Sequence, residues 1–241
     1  MKKILCLFLA SIMALSIVGC GNGSKSATSS TENSYSDSEF INSIAKSLEK
    51  RWSIVESKEA ESFEQESREY YANISSAIDA ELEIVSKYRN SEFKDHNLQE
   101  LAIKYINALE DSKETADLLP SDDASLYDKW ENIYDTRTTI IKTLVDDYGM
   151  TVSEKYQNTL DDLINNAKSV EKDTAIKEKV DKIADSLKFD KKSDGTGYYT
   201  YTTKFQNDTG VNFDYLTFNI DLLDSEGTVI EQQFLYFENV S

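Results

Sequence analysis

The chain is poor in the residues that most catalytic and metal sites require. It has two cysteines, one histidine and one proline among 241 residues. Both cysteines, Cys6 and Cys20, belong to the N-terminal stretch. The remainder therefore offers no disulfide and no thiol nucleophile. A fold without disulfides must be held together by packing. With His96 as the only imidazole, zinc would have to be held almost wholly by carboxylates. His96 sits in Glu92-Phe93-Lys94-Asp95-His96, which reads as a solvated turn between helices. No Gly-x-Ser-x-Gly elbow accompanies it, and no phosphate loop or dinucleotide fingerprint is present.

Basic residues are scarce as well. Lys and Arg number 26 against 44 Asp and Glu, giving a net charge of −18. Such a charge repels phosphate backbones and anionic headgroups, so no nucleic acid is expected as a partner. The acids are spread along the chain, as solvated helix faces require. Neighbouring pairs such as Asp122-Asp123, Asp146-Asp147 and Asp161-Asp162 are frequent. On a helix, adjacent residues point about 100° apart and do not form a dyad. Asp190-x-x-x-Asp194-Gly195 hints at a calcium loop, but Lys192 and Tyr201 stand where that loop needs acids. It reads as a turn. No catalytic residue, no metal and no dissociable cofactor is expected.

What the chain does have begins at its N-terminus. Met1-Lys2-Lys3 leads an apolar run over residues 4–18, followed by Ile17-Val18-Gly19-Cys20. Two lysines, a short apolar run and small residues make a secretory signal peptide. The run is about fifteen residues, short of the ~20 that a spanning helix needs. The motif resembles the lipobox of bacterial lipoproteins. That resemblance covers residues 1–20 and implies cleavage before Cys20, with a diacylglycerol thioether on its sulfur. Two acyl chains suffice for stable anchoring where one is marginal. The expected location is the extracytoplasmic face of a Gram-positive cell membrane. The processed chain would lose Lys2 and Lys3, taking its charge from −18 to −20.

Domain organisation follows from composition and period. After the signal peptide (1–19), residues 20–38 are the lipidated Cys and a Ser/Thr/Gly-rich tether, spanning roughly 20–25 Å on average. Residues 39–188 carry a helical period. Phe40, Ile44, Leu48, Trp52 and Val55 are spaced 4, 4, 4 and 3, and Tyr70, Ile74, Ile78, Leu82 and Val85 repeat the pattern. Residues 56–68 read as a polar link. Leu98, Leu101, Tyr105 and Leu109 mark a third helix that ends near Leu119 before Pro120. Pro120-Ser121-Asp122-Asp123 then reads as a stop and an N-cap with acids in the first turn. The next helix carries Leu126, Trp130, Ile133, Ile140, Leu144 and Tyr148, with Gly149 as its C-terminal cap. Ser153 is expected to cap the last helix. Its stripe of Leu160, Leu163, Ala167 and Val170 slips register at Ile176, Val180, Ile183 and Leu187. A bend near Asp173-Thr174, or a change of packing partner, would produce that slip.

Residues 189–241 switch to a period of two. Tyr199, Tyr201, Thr203 and Phe205 alternate with polar residues, as do Leu216, Phe218, Ile220 and Leu222, and a third run covers residues 229–237. Residues 190–195 read as the joining turn. Ile220-Asp221-Leu222-Leu223-Asp224 with Gly227 resembles the immunoglobulin-like modules named for a Phe-x-Leu-Tyr-Asp motif, with Ile in place of Phe and Leu in place of Tyr. The resemblance implies a β-sandwich module at the end of a surface lipoprotein. Such a sandwich needs about seven strands and three are read here. Either the strands continue beyond Ser241 or they pack on the bundle, and the aromatic open edge favours the first.

The expected fold class is α+β: an elongated antiparallel bundle of four to five helices, then a short antiparallel β meander or truncated Ig-like sandwich. An accessory solute-binding or immunity lipoprotein is a further alternative, of which the absence of βαβ alternation disfavours the solute-binding form. The expected function is a non-enzymatic binding or structural module at the cell envelope, with a protein or cell-wall partner. An envelope hydrolase built on helix-borne carboxylates is the alternative. Tyr198, Tyr199 and Tyr201 are the candidate aromatic contact surface, with Tyr70, Tyr71, Tyr127, Trp130 and Tyr134 as further aromatic candidates.

Overall fold

A computed structural model of the chain describes residues 35–240. Ile17, Val18, Gly19 and Cys20, and most of the tether, lie outside the described residues. Within them the fold is α+β, with five α-helices followed by antiparallel strands. No described helix is long and apolar enough to cross a membrane.

The apolar spacing of the first helix does what helical geometry requires. In α1 (Asp37–Val55), Phe40, Ile44, Leu48 and Trp52 share one face and are all buried. Helix α2 (Arg68–Val85) starts at Ser67, whose hydroxyl accepts the Tyr70 N–H at 3.1 Å. Helix α3 (His96–Leu118) is capped by the Asp95 carboxylate, which accepts from the N–H groups of Asn97 and Leu98. His96 is thus the exposed first residue of a helix. Helix α4 (Ala124–Asp146) is capped by Asp123, so its acids precede the first turn instead of occupying it. Its end is a left-handed residue: Gly149 has φ +68°, donates to Val145, and lets Met150 N–H reach the Leu144 carbonyl at 3.0 Å.

Helix α5 (Gln157–Ser186) begins differently from expectation. Ser153 precedes a 3-10 turn (Glu154–Tyr156) that runs into α5, and its side chain caps nothing. Its own N–H is held by the Glu49 carboxylate of α1 at 2.6 Å, and Trp52 packs on Tyr156 at 5.4 Å. Contact with α1, not local capping, fixes this start. Successive helices pack on one another from α1 to α5. One core joins them, built on residues such as Phe40, Leu48, Ile78, Leu109, Ile141, Leu144 and Leu160.

Helix α5 is unbroken through Asp173-Thr174, so the register slip is a change of packing partner. Leu160 and Leu163 belong to the bundle core, whereas Ile183 is buried in a second cluster with Leu216 and Phe218. Val180, Leu187, Phe205, Leu235 and Phe237 surround it. Lys179 adds a hydrogen bond from its ammonium to the Thr209 carbonyl at 2.6 Å.

The strands form two separate two-stranded sheets. Residues read as a linker form β1 (Asp190–Ser193), which pairs antiparallel with β2 (Tyr199–Thr202). Strand β3 (Phe213–Leu223) pairs antiparallel with β4 (Val229–Val240). The expected antiparallel strands are therefore present, but β2 pairs backwards to β1 instead of forwards to β3. Four described strands do not make a seven-stranded sandwich. The Leu216↔Phe237 and Phe218↔Leu235 pairs face the second cluster. Asp224, the acid of the Ig-like motif, holds the β3–β4 turn by accepting the N–H groups of Glu226 and Thr228 at 2.8 and 2.9 Å. These backbone bonds, Thr228 first, hold its pKa below the ordinary carboxylate value.

Two substitutions check this packing by denaturant unfolding. Leu109 is fully buried in the bundle core, and Leu109→Ala is expected to lower stability by about 2–5 kcal/mol. Gly149→Ala meets open space yet must hold a left-handed backbone, and is expected to cost about 1–2 kcal/mol.

Candidate functional site

The three tyrosines singled out in the sequence cluster on one hairpin. Tyr198 precedes β2 and is 77% exposed; Tyr199 and Tyr201 lie two apart on β2, 54% and 42% exposed. Two-residue spacing puts Tyr199 and Tyr201 on one face. Lys191 is the cross-strand partner of Tyr201, and its ammonium lies 4.0 Å from the Tyr199 ring centroid and 5.3 Å from that of Tyr201. The Tyr201 hydroxyl beside it raises the lysine's pKa. The result is a pair of aromatic rings bridged by a cation, all at the surface.

A second exposed aromatic row was not read from the sequence. On β3–β4 the face turned away from the apolar cluster carries Tyr215, Phe234 and Tyr236, each more than half exposed. Tyr215 and Tyr236 stack at 5.6 Å with their planes 27° apart. Gln232 donates to Asp221 at 2.9 Å on the same face. The signal lay in Tyr215, which stands in the polar phase of residues 215–221, and in residues 234–237, which put aromatics in both phases. Exposed rings beside amides and hydroxyls suit stacking on sugar rings or on a peptide.

Of the other aromatic candidates, Tyr71 and Trp130 serve packing. Tyr71 is buried against Tyr70, and burial followed by Tyr127 pushes its hydroxyl pKa up to about 12. Trp130 packs on the bundle core, and Tyr134 is partly exposed. His96 shares a shallow surface depression with Asp37, Lys94, Asp95 and Asn97. Asp37 there accepts the N–H groups of Lys94 and Asp95 at 2.9 and 3.0 Å, joining the start of α1 to that of α3. Asp194, of the supposed calcium loop, accepts from the Thr196 N–H and hydroxyl, closing a turn. Among the described residues no group of three or more His, Cys, Asp or Glu could hold a metal ion.

A cavity of about 800 Å³ is an open groove lined by residues of α4 and α5, with Lys104 of α3. Asp135, Glu171, Asp173 and Glu178 line it, interleaved with Lys177. Asp135 is held by Asn166 at 3.0 Å and Glu171 by Lys142 at 3.1 Å.

The bundle also buries a charge cluster that the helical stripes concealed. Glu81 of α2 is fully buried. It takes Arg51 of α1 at 3.0 Å, Arg137 of α4 at 3.5 Å, and a hydrogen bond from the Tyr105 hydroxyl of α3. The Arg137 guanidinium also lies 5.9 Å from the Tyr105 ring centroid. Burial alone would raise the Glu81 pKa; Arg137 and Arg51 outweigh it and hold the pKa low. Burial raises the Tyr105 hydroxyl, and Glu81 adds to that. Burial and the neighbouring Arg137 together lower Arg51, whereas at Arg137 the pull of Glu81 overcomes burial. Spacing was the available signal: Glu81 stands between Ile78 and Val85, and Arg137 between Ile133 and Ile140, each at intervals of three and four.

Among known proteins, no family model, no curated sequence and no solved structure matches this chain. The resemblances at residues 17–20 and 220–227 rest on those residues themselves.

Removing one partner of a buried ion pair leaves the others uncompensated. Glu81→Gln is expected to lower stability by about 3–5 kcal/mol at pH 7 in denaturant unfolding. The carboxyl's folded pKa lies below its ordinary value of 4.5. Its contribution is therefore full above that value and lost as pH falls through the folded pKa. The gap between wild type and variant should narrow below about pH 4.5.

Proposed function

We propose that this chain is a membrane-anchored lipoprotein of the extracytoplasmic face, carrying diacylglycerol on Cys20 and acting as a non-enzymatic binding module. Its helical bundle is the scaffold, and the C-terminal hairpins present the contact surface to a protein or cell-wall partner. The observation that carries this reading is the exposed Tyr198, Tyr199 and Tyr201 group with Lys191 across it. Rings this exposed contribute little to folding, and aromatic side chains are enriched where partners bind. The lipobox sequence and the acidic, helix-rich body support the same reading. A lipid anchor would hold such a surface at the envelope, where diffusion is confined and modest affinity suffices.

Two measurements test it. Cells fed labelled palmitate are expected to label the processed wild-type protein and not Cys20→Ala, which should be released from the membrane. Replacing Tyr198, Tyr199 and Tyr201 together by Ser is expected to leave unfolding stability within about 0.5 kcal/mol. Retention of that variant on isolated cell envelopes should fall about tenfold. Undiminished retention with a correctly folded variant would move the contact surface elsewhere.

A further inference from the structure

The buried cluster is unbalanced. Two guanidiniums, Arg51 and Arg137, share one carboxylate, and its further polar partner among the described residues, Tyr105, is a neutral donor to it. The side chains are nearly out of solvent: Arg51 is 12% exposed, Arg137 4% and Glu81 0%. One positive charge is left over in the interior, where an uncompensated charge is costly. Burial, with Arg137 beside it, lowers Arg51, whereas at Arg137 the attraction of Glu81 outweighs burial and raises it. In addition, the buried Nε–H of Arg137 has no hydrogen-bond partner among the described residues. A buried donor without an acceptor is unusual enough to ask what accepts from it.

A crevice lies against this excess charge. Arg51, Ser112, Trp130, Tyr134 and Arg137 line it. No carboxylate is among them. Guanidinium and indole N–H groups can only donate, and the Tyr134 hydroxyl can donate as well. Ser112 donates its own proton to the Ala108 carbonyl at 2.7 Å and so presents an oxygen; it is the one lining group that offers no donor. The crevice volume is about 10 Å³, the size of a single water molecule or monatomic ion.

We propose that this crevice is a binding site for one monatomic anion of the halide class, with chloride as the physiological ligand, held by Arg51 and the unpartnered Arg137 Nε–H beneath Trp130 and Tyr134. The anion brings the cluster to neutrality and supplies the missing acceptor. A water would supply the acceptor but not the charge. The site lies in the bundle, on residues that the contact-surface reading does not use, so the two stand or fall separately.

The test uses the full chain and two independent readouts. Thermal unfolding is followed with sodium chloride exchanged for sodium gluconate at constant ionic strength. Chloride and bromide are expected to raise the midpoint saturably, by about 2–4 °C, and gluconate is expected to have no effect. Arg51→Met pairs Arg137 alone with Glu81 and should lose this halide response. Crystals grown with sodium bromide should show an anomalous peak in the crevice within hydrogen-bonding reach of Arg137 Nε. Equal midpoints in chloride and gluconate, a full response retained by Arg51→Met, or ordered water without bromide in the crevice would each overturn the site. Should Arg51→Met fail to fold, the bromide peak decides alone.

Discussion

Helix α5 is held by two cores at once, and the seating of the β3–β4 hairpin depends on that. Its first half contributes Leu160, Leu163 and Ala167 to the packing against α4 and the bundle. Its last turns place Val180, Ile183 and Leu187 under the inner face of β3–β4. Between them, residues 171–179 are exposed apart from Ile176. A thirty-residue helix is about 45 Å long, enough to serve both ends. A two-stranded hairpin is marginally stable by itself in water. The packed end of α5 supplies the apolar support that pairing between two strands cannot.

That support leaves the opposite face of β3–β4 free. In β3–β4 alternation sends Leu216, Phe218, Leu235 and Phe237 inward and Tyr215, Phe234 and Tyr236 outward. In β1–β2 all eight paired residues are exposed, and Tyr199, Tyr201 and Lys191 hold one another. The bundle solves the opposite problem. Its centre admits a fully buried carboxylate because four side chains from four helices meet there: Arg51, Glu81, Tyr105 and Arg137. Such a cluster adds less net stability than an apolar core of equal volume, but its geometry is demanding. It sets the relative register of α1 to α4 more narrowly than interchangeable aliphatic contacts would.

Much of this was legible in the sequence because helical and strand periods are local. The stripe Phe40, Ile44, Leu48 and Trp52 is buried as its spacing requires, and Gly149 ends α4 as its position suggests. The slip at Ile176–Leu187 was visible, and two physical causes fitted it equally. Only contacts far along the chain, between Ile183 and Leu216 or Phe218, choose between them. Ser153 misled for a similar reason. A cap is a local inference, and here the start of α5 is set by Glu49 and Trp52, about a hundred residues earlier. Strand β1 escapes the sequence because Asp190–Ser193 is wholly polar and shows no alternating apolar face. Glu81 and Arg137 sit at core intervals, but a charged residue in an apolar stripe reads as an edge until its partners from other helices are known.

The most direct measurement is native-state hydrogen exchange of the full chain, compared between wild type and Ile183→Ala. If α5 carries the β3–β4 hairpin through its last turns, amides of β3 and β4 should exchange faster in the variant. Those of α1 to α4 should be unchanged. Equal acceleration in bundle and hairpin, or no acceleration in the hairpin, would contradict two cores sharing one helix.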